Sequence, residues 1–153
     1  MGKLGRFLYL PWPKGRTDDL GGGGFRASHD GYSKLGIRWM REVSLRAEGG
    51  FVVRDCVAGA GGRKLLWQWR LADLPWKLGR ESDRVEVHSE GWNHAVRWRG
   101  PAGCRSRLLR GDEATSYGWW SPHYGAVEPA CALLIEADAT GDVELEVEFF
   151  PMD

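Results

Sequence analysis

Apolar and polar residues alternate along most of the chain. In GIRWMREVSLRA (36–47), Ile37, Trp39, Val43, Leu45 and Ala47 share one parity, while Arg38, Glu42, Ser44 and Arg46 share the other. A repeat of two sends such residues to opposite faces of an extended strand. GFVVRDCVAG follows the turn-like Glu48-Gly49-Gly50, and Gly59 to Gly62 makes the next break. In RKLLWQWRL, Leu65, Trp67, Trp69 and Leu71 then alternate with Lys64, Gln68 and Arg70. DRVEVHS, NHAVRWR, CRSRLL and ACALLIEA continue in the same style. The closing DVELEVEFF is the clearest, with Val143, Leu145, Val147 and Phe149 on one side and Glu144, Glu146 and Glu148 on the other. No window longer than two turns carries a helical stripe. About eight to ten short strands without helices between them predict an all-β fold, an antiparallel two-sheet β-sandwich with little helix. There is no internal repeat, which disfavours a propeller or a solenoid.

Two stretches interrupt or qualify this pattern. RTDDLGGGG (16–24) is polar and ends in four glycines, the composition of a mobile loop or linker. It divides the chain into an N-terminal arm with a Gly-rich linker, residues 1–24, and a β-sandwich body, residues 25–153. GWNHAVRWRGPAGCRSRLLR (91–110) holds five arginines and no acid. Gly100-Pro101-Ala102-Gly103 must turn the chain, and a hairpin pairing Trp98 with Cys104 keeps Val96, Ser106, His94 and Leu108 on one face. Arg97, Arg105 and Arg107 then share the other, since a register slipped by one residue would mix arginine with tryptophan. With Arg99 these form a candidate basic strip suited to carboxylate or sulfate groups. The plainer reading is a solvated strand face paired with the glutamates of residues 144 to 148.

Composition narrows the function classes. The 153 residues suit one domain; they are 42% apolar and 27% charged, which fits a globular chain, and nine Trp with 22 Gly favour a turn-rich β-protein. Lys+Arg equals Asp+Glu at 21 each, so the whole-molecule field gives no reason to expect nucleic acid or an anionic membrane. Cys56, Cys104 and Cys131 are odd in number and show no C-x-x-C spacing, so free buried thiols are expected, with one disulfide plus one free thiol as the alternative. The apolar run near the start is broken by Pro11 and Pro13, too short for a signal-peptide core, and the chain taken alone reads as cytoplasmic. His88 and His94 flank Glu90, but zinc wants three or four convergent ligands, so no metal and no cofactor are expected. Neither a nucleophile elbow nor a phosphate loop is present.

Two short motifs concentrate the remaining chemistry. SHDGY brings His29, Asp30 and Tyr32 together: an imidazole beside a carboxylate can hold a proton near neutral pH, and a tyrosinate can abstract one. Asp30-Gly31 is also an ordinary turn dipeptide. In WWSPHYGA, Trp119, Trp120, His123 and Tyr124 either present a sugar-stacking platform or cap one end of the sandwich.

SHDGYSKLGIRWMREVSL…FVVRDCVAG, LLWQWRLA and GWWSPHYGAVEPACALLIEA, taken in order, resemble the C-terminal β-sandwich portion of the heparinase II/III-like polysaccharide lyases and related alginate lyases. The likeness runs from about Phe25 to Phe150. Its markers include His29, Asp30, Tyr32, Arg41, Asp55, Ser121, Pro122 and Tyr124. It implies a sandwich that in complete enzymes follows an α/α-toroid domain, and a β-elimination at an acidic sugar. The family's reacting groups lie mainly on the toroid and on an earlier part of the sandwich, so no catalytic residue is assigned here and activity of this chain alone is not expected. Members often carry a histidine where this chain has Arg38-Trp39-Met40-Arg41, and only Arg41 keeps the pattern. The expected function is an accessory, substrate-supporting module for acidic polysaccharide such as a glycosaminoglycan or alginate. An autonomous acidic-glycan receptor and a structural module without ligand stand beside it. Partners would be the polysaccharide, a toroid domain or a second copy of the chain. The family is often exported, against the cytoplasmic reading of this chain by itself.

Overall fold

The computed structural model describes residues 2–3, 9–10, 12–79 and 83–152. Its strands are, in order, β1 (Gly2–Lys3), β2 (Tyr9–Leu10), β3 (Gly15–Gly21), β4 (Gly24–His29), β5 (Arg38–Leu45), β6 (Phe51–Ala58), β7 (Arg63–Arg70), β8 (Lys77–Leu78), β9 (Arg84–Ser89) and β10 (Trp92–Arg99). They continue with β11 (Arg105–Arg110), β12 (Trp119–Trp120), β13 (Glu128–Pro129), β14 (Cys131–Ala139) and β15 (Val143–Pro151). Among the described residues the only helical element is a 3-10 turn, Ser33–Leu35. An eight-stranded sheet in the order β3-β4-β5-β6-β15-β10-β9-β8 faces a three-stranded sheet, β11-β14-β7, and every named pairing is antiparallel. The fold is the all-β sandwich that the alternation predicts.

The sheets differ in width, and this decides where the core ends. Val57, Val143, Leu145, Val147, Val96 and Trp98 from the large sheet pack against Trp67, Leu133, Ile135 and Ala137 from the small one. No residue of β3 or β4 belongs to that cluster, and β5 contributes only the half-buried Trp39. Three strands cannot cover eight, so the inner face of the large sheet is left open beyond β5. Each fully buried Leu, Ile or Val contributes about 1.5–3 kcal/mol by leaving water, which makes the β14/β15 contact the main stabilising feature.

Two expectations fail locally. Gly15–Gly21 is not a mobile linker; it is the edge strand β3, paired with β4 from Gly15↔His29 to Gly21↔Gly24. Its side chains are almost all exposed on both faces, so no apolar alternation announces it. Gly21, Gly22 and Gly23 have φ of 76°, 59° and 79°, and they turn the hairpin where most side chains would be strained. The 91–110 hairpin does not form either. β10 pairs with β9 and β15 in the large sheet, whereas β11 pairs with β14 in the small one. Residues 100–103 therefore carry the chain from one layer to the other. Alternation alone does not distinguish strands that pair edge to edge from strands that face each other across a core, since either way Trp98 and Leu108 end up inside.

The outer face of the large sheet explains how so many charges coexist. Asp18↔Arg26↔Glu42↔Arg54↔Glu146↔Arg99 form one row across six adjacent strands, alternating in sign throughout. Arg26 lies 2.6 Å from Glu42, and Glu146 lies 2.7 Å from Arg54 and 3.6 Å from Arg99. In the next row, Glu148 meets Arg97 at 2.6 Å and Arg46 at 3.1 Å. Opposite charges across strands contribute a few tenths to about 1 kcal/mol each, and a slipped register would forfeit the row. All three cysteines are free thiols, Cys131 buried and Cys56 and Cys104 partly so. Burial, then the charge of Asp73, pushes the Cys131 thiol up from its ordinary value.

Two measurements test this account. Leu145 has no exposed surface while Leu78 is 55% exposed, so Leu145→Ala should cost about 2–5 kcal/mol in urea unfolding and Leu78→Ala no more than about 0.5. Burial alone would raise the Glu148 carboxyl, but its hydrogen bond from Arg97 and the charges of Arg97, Arg46 and Arg99 outweigh this and hold it below the usual range. A depressed carboxylate stabilises the fold above its unfolded value near pH 4.3, and that contribution is lost as pH falls through the folded value. Glu148→Gln should therefore lower Tm at pH 7 and flatten the fall in Tm on acidification. An unchanged acid limb would contradict the assignment.

A cleft at the uncovered end of the large sheet

The open inner face is bounded on one side by His29 at the end of β4 and by Trp39 and Arg41 on β5. On the other side stands the edge strand β7, and the 3-10 turn after Tyr32 closes one end. Together they frame a cleft of about 670 Å³.

Arg41 is the best-fixed group in it. Its partner Asp55 has no exposed surface and stands opposite it on β6. Arg41 Nε and Nη2 donate to the two carboxylate oxygens at 2.7 and 2.6 Å. The guanidinium carbon lies 4.8 Å from the ring centre of Trp69 and 5.4 Å from that of Trp39. A forked pair plus two aromatic contacts holds a guanidinium in one orientation, and the fork does not use Nη1. Asp55 offsets the charge of Arg41, so the positive charge on the inner side of the cleft comes from Arg63; Lys64, at the rim, alternates to the outer face of β7 opposite Asp138 on β14. Arg63 Nη2 donates to the Leu35 carbonyl at 3.2 Å, tying β7 to the 3-10 turn. Lys64 is exposed. Among the described residues, no carboxylate lines the cleft.

His29 packs its ring 4.8 Å from Trp39 and 5.2 Å from Tyr32. Its Nδ1 accepts the Gly31 N–H at 3.1 Å, which assigns the neutral ring a proton on Nε2. His29 and Tyr32 meet ring against ring, and no hydrogen bond between them is seen among the described residues. The cleft thus offers the Nη1 edge of Arg41, the side chains of Arg63 and Lys64, a hydroxyl, an imidazole N–H, an amide at Gln68 and aromatic faces. These groups suit recognition of an anionic, hydroxyl-rich ligand.

The SHDGY motif is divided by the fold. His29 and Tyr32 line the cleft, whereas the Asp30 carboxylate accepts the Lys14 N–H at 2.7 Å and its own N–H donates to the Lys14 carbonyl at 3.1 Å. Asp30 fastens the start of β3 to the end of β4. The expected basic strip is not assembled. Arg97 and Arg99 lie on the outer face of the large sheet, paired with Glu148 and Glu146. Arg105 and Arg107 lie on the outer face of the small sheet, 3.5 Å from Asp138 and 2.7 Å from Glu136. The two pairs occupy opposite sides of the sandwich because their strands belong to different sheets.

The aromatic motif is divided in the same way. Trp119 is half-buried, with Nε1 donating to the Asp112 carbonyl at 3.3 Å. Trp120, its neighbour on β12, points to the other face, and the Arg70 guanidinium lies 5.0 Å from its ring centre. The His123 carbonyl accepts the Ser121 hydroxyl at 2.7 Å, and Tyr124 is fully exposed at the loop tip. Trp119, Trp120 and Tyr124 do not form a single platform. Trp39, Arg63, Lys64 and Gln68 were not singled out in the sequence. The signal that finds the cleft is Arg41 within the apolar row Ile37–Trp39–Val43, matched by Asp55 within Val53–Val57.

The model of the Heparinase II/III-like, C-terminal family matches residues 12–147. The chain is also similar to solved structures. A crystal structure of heparinase III superposes with a TM-score of 0.71 at 13% identity, covering 90% of this chain and 21% of that one. Another heparinase III structure gives 0.70 at 15% identity, over 91% and 22%. Heparan sulfate lyase HepC from Pedobacter heparinus gives 0.66 at 16% identity, also over 91% and 22%. This chain therefore spans about a fifth of the length of these structures. No curated protein matches it.

The buried fork has a measurable consequence. Arg41→Ala leaves the Asp55 carboxylate buried and unpaired, and should cost about 3–5 kcal/mol in equilibrium unfolding. The double change Arg41→Met with Asp55→Leu removes both charges and should recover most of that loss. If Arg41→Ala costs less than about 1 kcal/mol, the pair does not anchor β5 as described.

Proposed function

Given that the chain belongs to the Heparinase II/III-like, C-terminal family, we propose that it is the substrate-supporting β-sandwich module of an acidic-polysaccharide lyase. In this reading it binds the polymer and leaves bond cleavage to an α/α-toroid domain beside it. The observation that carries the reading is the cleft between β5 and β7, where Arg41 and Arg63 stand with Trp39 and, among the described residues, no carboxylate is part of the lining. Nη1 of Arg41, left unused by the fork to Asp55, can donate to a carboxylate or sulfate group, and the aromatic faces suit the apolar side of a sugar ring. The names of the similar structures, heparinase III and heparan sulfate lyase, point to the same class of ligand. His29 and Tyr32 meet in the cleft ring against ring, with no hydrogen bond between them among the described residues, which favours support over catalysis.

Calorimetry of the purified chain against heparan sulfate, hyaluronan, alginate and a neutral glucan tests this, with unsaturated uronate followed by absorbance. Binding to at least one acidic polymer is expected, weakening as salt rises and yielding no product. The double charge reversal Arg63→Glu with Lys64→Glu should weaken it at least tenfold, about 1.4 kcal/mol. Binding that survives the reversal, or equal binding of the neutral glucan, would refute the reading.

A further inference from the structure

We infer that the cleft is one end of a longer track, and that the ligand is a linear acidic oligosaccharide lying along the outward side of β7 as far as Trp120. The inference rests on the function proposed above and adds the length and course of the ligand.

β7 is an edge strand, paired with β14 on one side only. Lys64, Leu66, Gln68 and Arg70 share one parity along it, and all four are exposed. At a rise of about 3.3 Å per residue, Lys64 and Arg70 stand roughly 20 Å apart, a span of several sugar units rather than one or two. The hollows follow the strand in order. The cleft of about 670 Å³ is lined by β7 as far as Gln68. A second hollow of about 270 Å³ begins at Arg70 and runs past Asp73 to Trp120.

The chemistry along this course is consistent. Arg63 and Lys64 stand at one end and Arg70 at the other, against the Trp120 ring. The acids beside this course are each matched: Asp138 and Glu136, opposite Lys64 and Leu66 on β14, meet Arg105 and Arg107 at 3.5 and 2.7 Å, and Asp73 in the second hollow accepts two hydrogen bonds from Arg110 at 2.8 and 2.9 Å, which keep its carboxyl below the ordinary value. An edge strand also presents unpaired N–H and C=O groups. A polymer carrying hydroxyls and anionic groups at regular intervals can satisfy both the cations and that backbone edge. An apolar peptide strand would satisfy only the edge.

Size-defined heparan sulfate oligosaccharides, from disaccharide to octasaccharide, test the track by calorimetry. The octasaccharide should bind at least tenfold tighter than the disaccharide. Arg70→Ala with Trp120→Ala should abolish most of this gain while leaving disaccharide affinity within twofold, with Tm measured to confirm that the fold is intact. Equal affinity at all lengths, or a gain that survives in the double variant, would overturn the track and leave the proposed function standing. No binding at any length would overturn the track, and would overturn the proposed function as well when hyaluronan and alginate also fail to bind.

Discussion

A carboxylate without any exposed surface, Asp55, sits in an otherwise apolar row on the inner face of the large sheet. Removing a charge from water costs several kcal/mol unless a well-aligned partner meets it. Arg41 is that partner, and its position fixes much else. The fork joins β5 to β6 in one register, places the guanidinium between Trp39 and Trp69, and marks where the dry core gives way to the cleft. The groups nearest the cleft wall are ordered by the same constraint.

The unequal widths of the sheets complete the arrangement. Leu133, Ile135, Leu145 and Val147 supply the burial, and that burial is confined to the region three strands can cover. The uncovered strands β3 and β4 are held by backbone pairing, by the Asp30–Lys14 contacts and by the ion pairs of the outer face. A chain with zero net charge thus keeps its charges sorted. The outer rows of the large sheet are balanced strand by strand, and in the cleft Asp55 balances Arg41 while Arg63 donates to a backbone carbonyl. The net charge alone conceals this division.

Much of the fold was legible in the sequence because burial on one face of a strand leaves a repeat of two. The glutamates of β15 and the apolar residues opposite them are the plainest case, and the family likeness pointed to the same architecture. Two features were not legible, and a third only in part. β3 has no buried face, so its sequence reads as a linker. The 100–103 corner could have been a hairpin, and only packing across the core assigns β10 and β11 to different sheets. That assignment separates Arg97 and Arg99 from Arg105 and Arg107. The cleft was half visible: His29, Tyr32, Arg41 and Asp55 stood out as motif residues, but nothing local brings them opposite Arg63 and Lys64. Those contacts depend on how far β7 lies from the end of the large sheet.

The account places the ligand at the cleft and along the β7 edge, and not on the charged outer face of the large sheet or at β11. Backbone amide shift mapping by NMR during titration with a heparan sulfate hexasaccharide examines this most directly. The account predicts that the largest perturbations fall at His29, Trp39 to Arg41 and Gly62 to Gln68, with the amides around Arg97, Arg99, Arg105 and Arg107 little changed. Perturbations concentrated at those four arginines, with the cleft silent, would contradict it.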